Sequence, residues 1–219
     1  MIDKLEALHF LRTGNERFAA GESGSHALDH GPRRNELVAG QNPFAIILGC
    51  SDSRVPAELI FDQGLGDLFV IRIAGNVVAP SQIGSIEFAV ERFGTGLVVV
   101  LGHSGCGAVA ATIEEMTRPR GGSQSSHLRS IVERVRPSVE PFLETEIRDD
   151  PDELMRLAVR ANVRFSANHL RCGSEFLEQC LEERKLLIVG AEYSLETGLV
   201  DFFDGLPDGN ERVSSIQQG

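Results

Sequence analysis

Apolar positions along this chain fall into two rhythms. Phe44-Ala-Ile-Ile-Leu-Gly, Phe69-Val-Ile-Arg-Ile, Leu97-Val-Val-Val-Leu-Gly and Leu186-Leu-Ile-Val-Gly are short, nearly continuous apolar runs, the mark of strands covered on both faces. Between them apolar residues recur at helical spacing. Ile83, Ile86, Val90 and Phe93 share one face of 82–93, and 56–63 carries a shorter helical pattern. Leu5, Leu8, Leu11 and Phe18 predict an N-terminal amphipathic helix, or a helix pair, over 3–20. Residues 21–42 are rich in Gly, Ser, His, Asp and Pro and predict an extended arm or loop. Residues 123–183 predict helix broken at Pro137, Pro141 and Pro151, and 207–219 a polar, frayed tail. Buried strands alternating with helices predict an α/β fold, with a mostly parallel central sheet flanked by helices. The length fits a single domain, with an arm over 1–40, a core over 41–206 and the tail over 207–219.

Composition narrows the function classes. The formal net charge is −11, which disfavours nucleic-acid binding, because affinity for phosphate backbones comes largely from Lys and Arg. Lys4 and Lys185 are the only lysines, so a phosphate loop built around Lys is not expected. Four cysteines in 219 residues do not make a disulfide scaffold. The first residues, Met-Ile-Asp-Lys-Leu-Glu, lack the basic and apolar regions of a secretory signal, and no apolar run approaches the roughly 20 residues of a membrane helix. The expectation is a cytoplasmic protein with reduced thiols and no membrane partner.

Two of the four strand ends carry unusual residues. The first runs into Cys50-Ser-Asp-Ser-Arg54 and the third into Gly102-His-Ser-Gly-Cys-Gly107. In open parallel sheets ligands bind beyond the carboxyl ends of the strands, so these segments meet at one edge. Cys50, His103 and Cys106 are all zinc-ligand types, and three protein ligands with a fourth position open is the pattern of a catalytic zinc site. A lone cysteine is more often a small buried hydrophobe, and that reading suits Cys172 and Cys180, which lie in a helical stretch without a suitably spaced His. Asp52 and Arg54 stand two apart, close enough for a charge-assisted pair. There Asp52 could accept a hydrogen bond from a metal-bound water or ligate the metal, and Arg54 would hold the carboxylate ionised and aimed. Other patterns fail in detail. Gly64-Leu-Gly66 lacks the third Gly of a dinucleotide fingerprint and precedes its strand. Gly102-His-Ser-Gly-Cys misses the nucleophile-elbow pattern at its last position.

Together these stretches resemble the β-class carbonic anhydrases. The likeness rests on Cys50-Ser-Asp-Ser-Arg54, Gly66-Asp-Leu-Phe-Val-Ile-Arg-Ile-Ala-Gly-Asn76, Gly84-Ser-Ile-Glu-Phe-Ala-Val90 and Gly102-His-Ser-Gly-Cys-Gly107, and more loosely on Gly14-Asn-Glu-Arg-Phe18. It implies one zinc ion held by Cys50, His103 and Cys106. It implies reversible hydration of CO2 to bicarbonate and a proton, by attack of zinc-bound hydroxide. It also implies a homodimer or a larger homo-oligomer such as a tetramer, with the N-terminal arm packing on a partner and the site at the interface. Gln41 matches a residue that crosses that interface to hydrogen-bond substrate. Val55, Phe69, Gly75, Phe88 and Gly105 match the substrate pocket, although Phe69 and Phe88 also suit plain core. An allosteric subgroup binds bicarbonate at a second site built from a Trp, an Arg and a Tyr, and its Asp swings onto zinc. Here Ile47 stands at the Trp position while Arg72 and Tyr193 match the other two, which places the chain with the non-allosteric subgroup.

Three alternatives share these residues or this fold class: hydrolysis of carbonyl sulfide or carbon disulfide on the same ligands, a non-catalytic zinc-stabilised binding module, and a nucleotide-binding α/β protein. Two thiolates cancel the formal charge of a divalent ion, so bound water is acidified less than by three neutral imidazoles. The hydration rate should therefore rise into the alkaline range; a stopped-flow profile that stays flat down to pH 6 contradicts the two-thiolate ligand set.

Overall fold

A computed structural model describes residues 2–24, 30–117 and 125–207. The predicted strands are present, displaced by a residue or two: β1 (Ala45–Gly49), β2 (Leu68–Arg72), β3 (Leu97–His103) and β4 (Leu187–Tyr193). They run parallel in the order β2-β1-β3-β4. A strand absent from the sequence reading, β5 (Val200–Asp204), pairs antiparallel with β4 and closes that side of the sheet. The whole of β1 and β3 is buried, which is why both read as unbroken apolar runs.

Helices cover both faces. On one, α1 (Lys4–Ala19) seats Ala7, Leu8 and Leu11 in a core shared with Ile47, Val99 and Leu101. It is one helix, not a pair, and its buried face lies on its own chain; the Asp3 carboxylate caps it by accepting the Leu5 N–H. Asn15 fastens it further: its Nδ2 donates to the Ile60 and Gly198 carbonyls, and its Oδ1 accepts the Val200 N–H. Arg17 meets the buried Asp62 carboxylate at 2.6 Å. The region read as an arm or loop contains α2 (His30–Glu36), continued by one 3-10 turn over Leu37–Ala39; Pro32 sits in its first turn, where no N–H is needed. Residues 25–29 and 208–219, the latter nearly all of the expected tail, lie outside the described residues. The pattern at 56–63 gives a single turn, α3 (Ala57–Ile60).

On the opposite face, α4 (Pro80–Phe93) packs Ile86 and Ala89 against Ile46, Leu48 and Val98. It starts with Pro at the first turn and stops at Gly94 in the left-handed conformation. Then come α5 (Gly107–Thr117), α6 (Ser126–Leu143), α7 (Pro151–Cys172) and α8 (Glu175–Glu182). Pro137 and Pro141 do not break the chain as expected; both lie inside α6. Each removes a helical hydrogen bond, but Val132, Val135, Ser138 and Val139 bury one continuous stripe of α6, and tertiary burial of that stripe overrides the local cost. Pro151 instead opens α7 behind an Asp150 cap. Cys172 ends α7 exposed and Cys180 is half-buried on α8. No helix among the described residues is long and apolar enough to cross a membrane.

Gly14 faces the Phe61 carbonyl so closely that a Cβ would collide with backbone. Helix propensity alone would make Gly14→Ala stabilising by about 1 kcal/mol. The collision should reverse the sign, with a net loss of about 1–3 kcal/mol in denaturant unfolding.

Candidate metal centre

The strand order reverses between β1 and β3, since β2 lies to one side of β1 and β3 to the other. That switch point leaves a crevice beyond the carboxyl ends of the two strands. Gly49 is level with Leu101, so Cys50, one residue past β1, and His103, the last residue of β3, arrive side by side. Ser104 and Gly105 (φ 63°) turn the chain back, and Cys106 stands immediately before α5. The result is a buried group, Cys50, His103 and Cys106, whose ligand atoms all lie within 4.8 Å of one another.

The imidazole is aimed. His103 Nδ1 lies 3.0 Å from the Ser104 carbonyl, which can only accept, so Nδ1 carries the proton and Nε2 presents its lone pair. Nε2 is buried without a hydrogen-bond partner, an orphaned atom that a metal ion would satisfy. The sulfurs are prepared as well. Cys50 Sγ accepts the Gly75 N–H at 3.4 Å, and the Ala108 and Val109 amides at the start of α5 favour the Cys106 thiolate. Between themselves the thiols compete. A hydrogen bond from Cys106 draws the Cys50 thiol well down despite its burial, and the same bond, with burial, pushes the Cys106 thiol up. A divalent ion would displace the thiol protons, and two thiolates plus an imidazole with one position open is a zinc set.

Asp52 and Arg54 form a two-pronged pair beside this group. Arg54 Nε reaches Oδ1 at 2.9 Å, Nη2 reaches Oδ2 at 2.7 Å, and the Arg54 N–H adds a third bond at 3.0 Å. The guanidinium holds the Asp52 carboxyl well below the usual carboxylate range, and Asp52 Oδ2 lies 3.8 Å from His103 Nε2. Arg72, at the end of β2, donates to the carbonyls of Cys50 and Asp52 and so pins the loop carrying both.

A family model described as "Carbonic anhydrase" matches residues 45–200. This chain belongs to the β-carbonic anhydrase family. The carbonic anhydrase 2 of Mycobacterium tuberculosis is 41% identical over 210 residues, covering 93% of this chain and 94% of its own. A carbonic anhydrase of Mycolicibacterium smegmatis is 40% identical, covering 90% and 92%. Among solved structures, the β-carbonic anhydrase CafA of Aspergillus fumigatus superposes with a TM-score of 0.68 at 29% identity, over 94% of this chain and 93% of its own. One of two tetrameric β-carbonic anhydrases of Sordaria macrospora gives 0.68 at 25% identity, over 90% and 96%. The β-carbonic anhydrases are zinc enzymes, and zinc is the metal of this site.

Within this one carbonic anhydrase chain the expected site residues fall in three places. Cys50, Asp52, Arg54, Gly75, His103, Gly105 and Cys106 gather at the crevice. Val55 is buried in the core on the α1 side. Phe69 is level with Ile46, four residues before Cys50, or roughly 13 Å along the strand. It packs on Phe88 and Phe93, with ring centroids 6.3 and 6.1 Å away. Gln41 lines an outer groove with Val38, Leu65 and Phe93. The single chain thus leaves Gln41, Phe69 and Phe88 at the β2 edge, away from the ligand group. Sequence reading missed the Ser104 carbonyl that orients His103 and the Asn162 side chain that donates to Gly75 at 2.7 Å.

In the zinc-loaded protein a thiol reagent should react quickly with the exposed Cys172 and more slowly with Cys180. Removing zinc with a chelator should expose Cys50 and Cys106 to the same reagent; four thiols reactive at one rate before chelation would contradict this arrangement.

Proposed function

We propose that this carbonic anhydrase interconverts CO2 and bicarbonate with Cys50, His103 and Cys106 as its zinc ligands. The observation that carries this reading is the buried Cys-His-Cys group with the Asp52–Arg54 pair at its edge. When bound, zinc would supply a water acidified enough to attack on the alkaline side of neutral. The chain's own residues do the rest. The His103 tautomer fixed by Ser104 directs one nitrogen at the ion. The two sulfurs bring the negative charge that keeps it. Asp52, kept ionised by Arg54, would accept a hydrogen bond from that water and so orient it for attack on the carbon of CO2. Arg72 holds the Cys50–Asp52 loop at the right distance. Substrate is neutral and linear, so Gly75 and Gly105 contribute shape more than charge.

The pocket is completed in a homodimer. A second copy seated on the β2 edge brings Gln41, Phe69 and Phe88 to the ligand group of its neighbour. The exposed Val38, Leu65 and Phe88 support this, since they form an apolar margin along that edge. Solved relatives include tetramers, and a tetramer built from such dimers is the assembly we favour, in the cytoplasm. The non-allosteric reading has two supports. Ile47 is fully buried in the core, and the Arg72 guanidinium is already engaged by two carbonyls. The relatives are named carbonic anhydrases, which does not favour carbonyl sulfide or carbon disulfide as substrate.

Stopped-flow CO2 hydration tests the roles. Cys50→Ser should lose both zinc and activity. Asp52→Asn and Arg54→Ala should keep zinc and lose about 100-fold or more in kcat/KM. Activity surviving Cys50→Ser would sink the ligand assignment, and faster hydrolysis of carbonyl sulfide than hydration of CO2 would replace the substrate.

A further inference from the structure

Behind the ligand group runs a second chain of hydrogen bonds that starts far away in sequence. Gly75 sits in a single 3-10 turn after β2, with φ 69° and ψ 18°, and Asn76 beside it also has positive φ, 43°. Gly75 adopts the left-handed conformation freely, so nothing in its own backbone preference fixes it there, and the surroundings must hold the turn. Residue 75 has no side chain to hold it with. A Cβ there would come within 3.1 Å of Ala108 and 3.3 Å of Val135. Its N–H must nevertheless point at Cys50 Sγ, 3.4 Å away. What grips it from the other side is Asn162, in the middle of α7, 1% exposed, whose Nδ2 donates to the Gly75 carbonyl at 2.7 Å. A bond of that length inside a nearly dry core is lost at the full cost of a buried unpaired carbonyl.

We infer that Asn162 is a positioning residue for the zinc site: through Gly75 it aims a backbone N–H at the Cys50 sulfur, and so sets how firmly that sulfur holds the ion. An amide bonded to a thiolate fixes the direction of its lone pairs and takes up part of its charge, and partners of this kind control metal retention. The inference rests on Cys50 being a zinc ligand. Arg72 braces the outside of the Cys50–Asp52 loop, where it is exposed, whereas Asn162 braces the turn that touches the sulfur itself.

The test uses zinc-loaded full-length protein mixed with excess chelator, with zinc release followed by a coloured indicator. Asn162→Ala removes the donor. Asn162→Asp keeps the shape but turns an acceptor towards the Gly75 carbonyl. Both should release zinc about tenfold faster or more, and in the cobalt-substituted protein both should displace the thiolate-to-cobalt absorption band. Leu170→Ala, on the same helix and fully buried away from Gly75, serves as the control for general loosening. It should unfold more easily yet keep the wild-type release rate and band. Wild-type release in both Asn162 variants, or equal acceleration in Leu170→Ala, overturns the inference. If Cys50→Ser keeps its zinc, the ligand assignment itself fails; if it loses zinc while the Asn162 variants behave as wild type, only the positioning role fails. Should neither Asn162 variant fold, hydrogen exchange of the Gly75 amide in the wild-type protein decides. Protection that disappears with the zinc supports the role, and exchange that is fast throughout or unchanged by zinc removal overturns it.

Discussion

Everything at the centre depends on the register at which β1 and β3 lie side by side. Gly49 opposite Leu101 brings Cys50 level with the end of β3, and a slip of one residue would turn every side chain of β1 to the opposite face. Register in a parallel pair is defended by burial, and here both strands are covered on both sides. Ile46 and Leu48 belong to the core under α4 and α7, Ala45 and Ile47 to the core under α1. No slip leaves both cores filled. The metal group is thus located by hydrophobic packing along two whole strands, and the polar contacts at the crevice adjust it afterwards.

Those polar contacts share one logic, which is to hold acceptor groups in place by N–H donors. The thiols face peptide N–H groups, the Asp52 carboxylate faces a guanidinium, and the Cys50–Asp52 loop is gripped through its carbonyls by Arg72. An acidic chain suits this arrangement. A neutral gas needs no steering field, so positive charge is spent locally, on arginines that clamp. Arg160, which bridges Glu192 and Asp201 and stacks on Phe203, and Arg171, which ties Asp204 to α7, repeat the pattern at the β5 edge.

Legibility in the sequence followed the range of the interaction. The strands β1 and β3 were readable because continuous burial writes itself as continuous apolar sequence, and β2 showed the same apolar run although only Leu68 of it is buried. The β5 strand was not, because Val200-Asp-Phe-Phe-Asp204 is a short edge that buries only Phe202. The α2 helix was hidden by Gly31 and Pro32 in its first turn, and α6 by two prolines whose cost is met by a buried valine stripe in the folded chain. Ligands were legible since each sits within three residues of a strand end with its motif intact. Gln41, Phe69 and Phe88, expected at the substrate pocket, lie at the β2 edge away from the ligand group. Asn162 gave no signal, being one asparagine on a long helix whose partner is a backbone carbonyl 87 residues away.

All three ligands lie within the first 106 residues, whereas the helices that roof them, α6 and α7, begin at Ser126 and Pro151. During synthesis the three ligands therefore leave the ribosome ahead of the helices that roof them. Division of labour between the two halves of the chain follows. The early half chooses where the ion goes. The late half arrives with Val135, Val139, Ala158 and Val159 to close over the sulfurs.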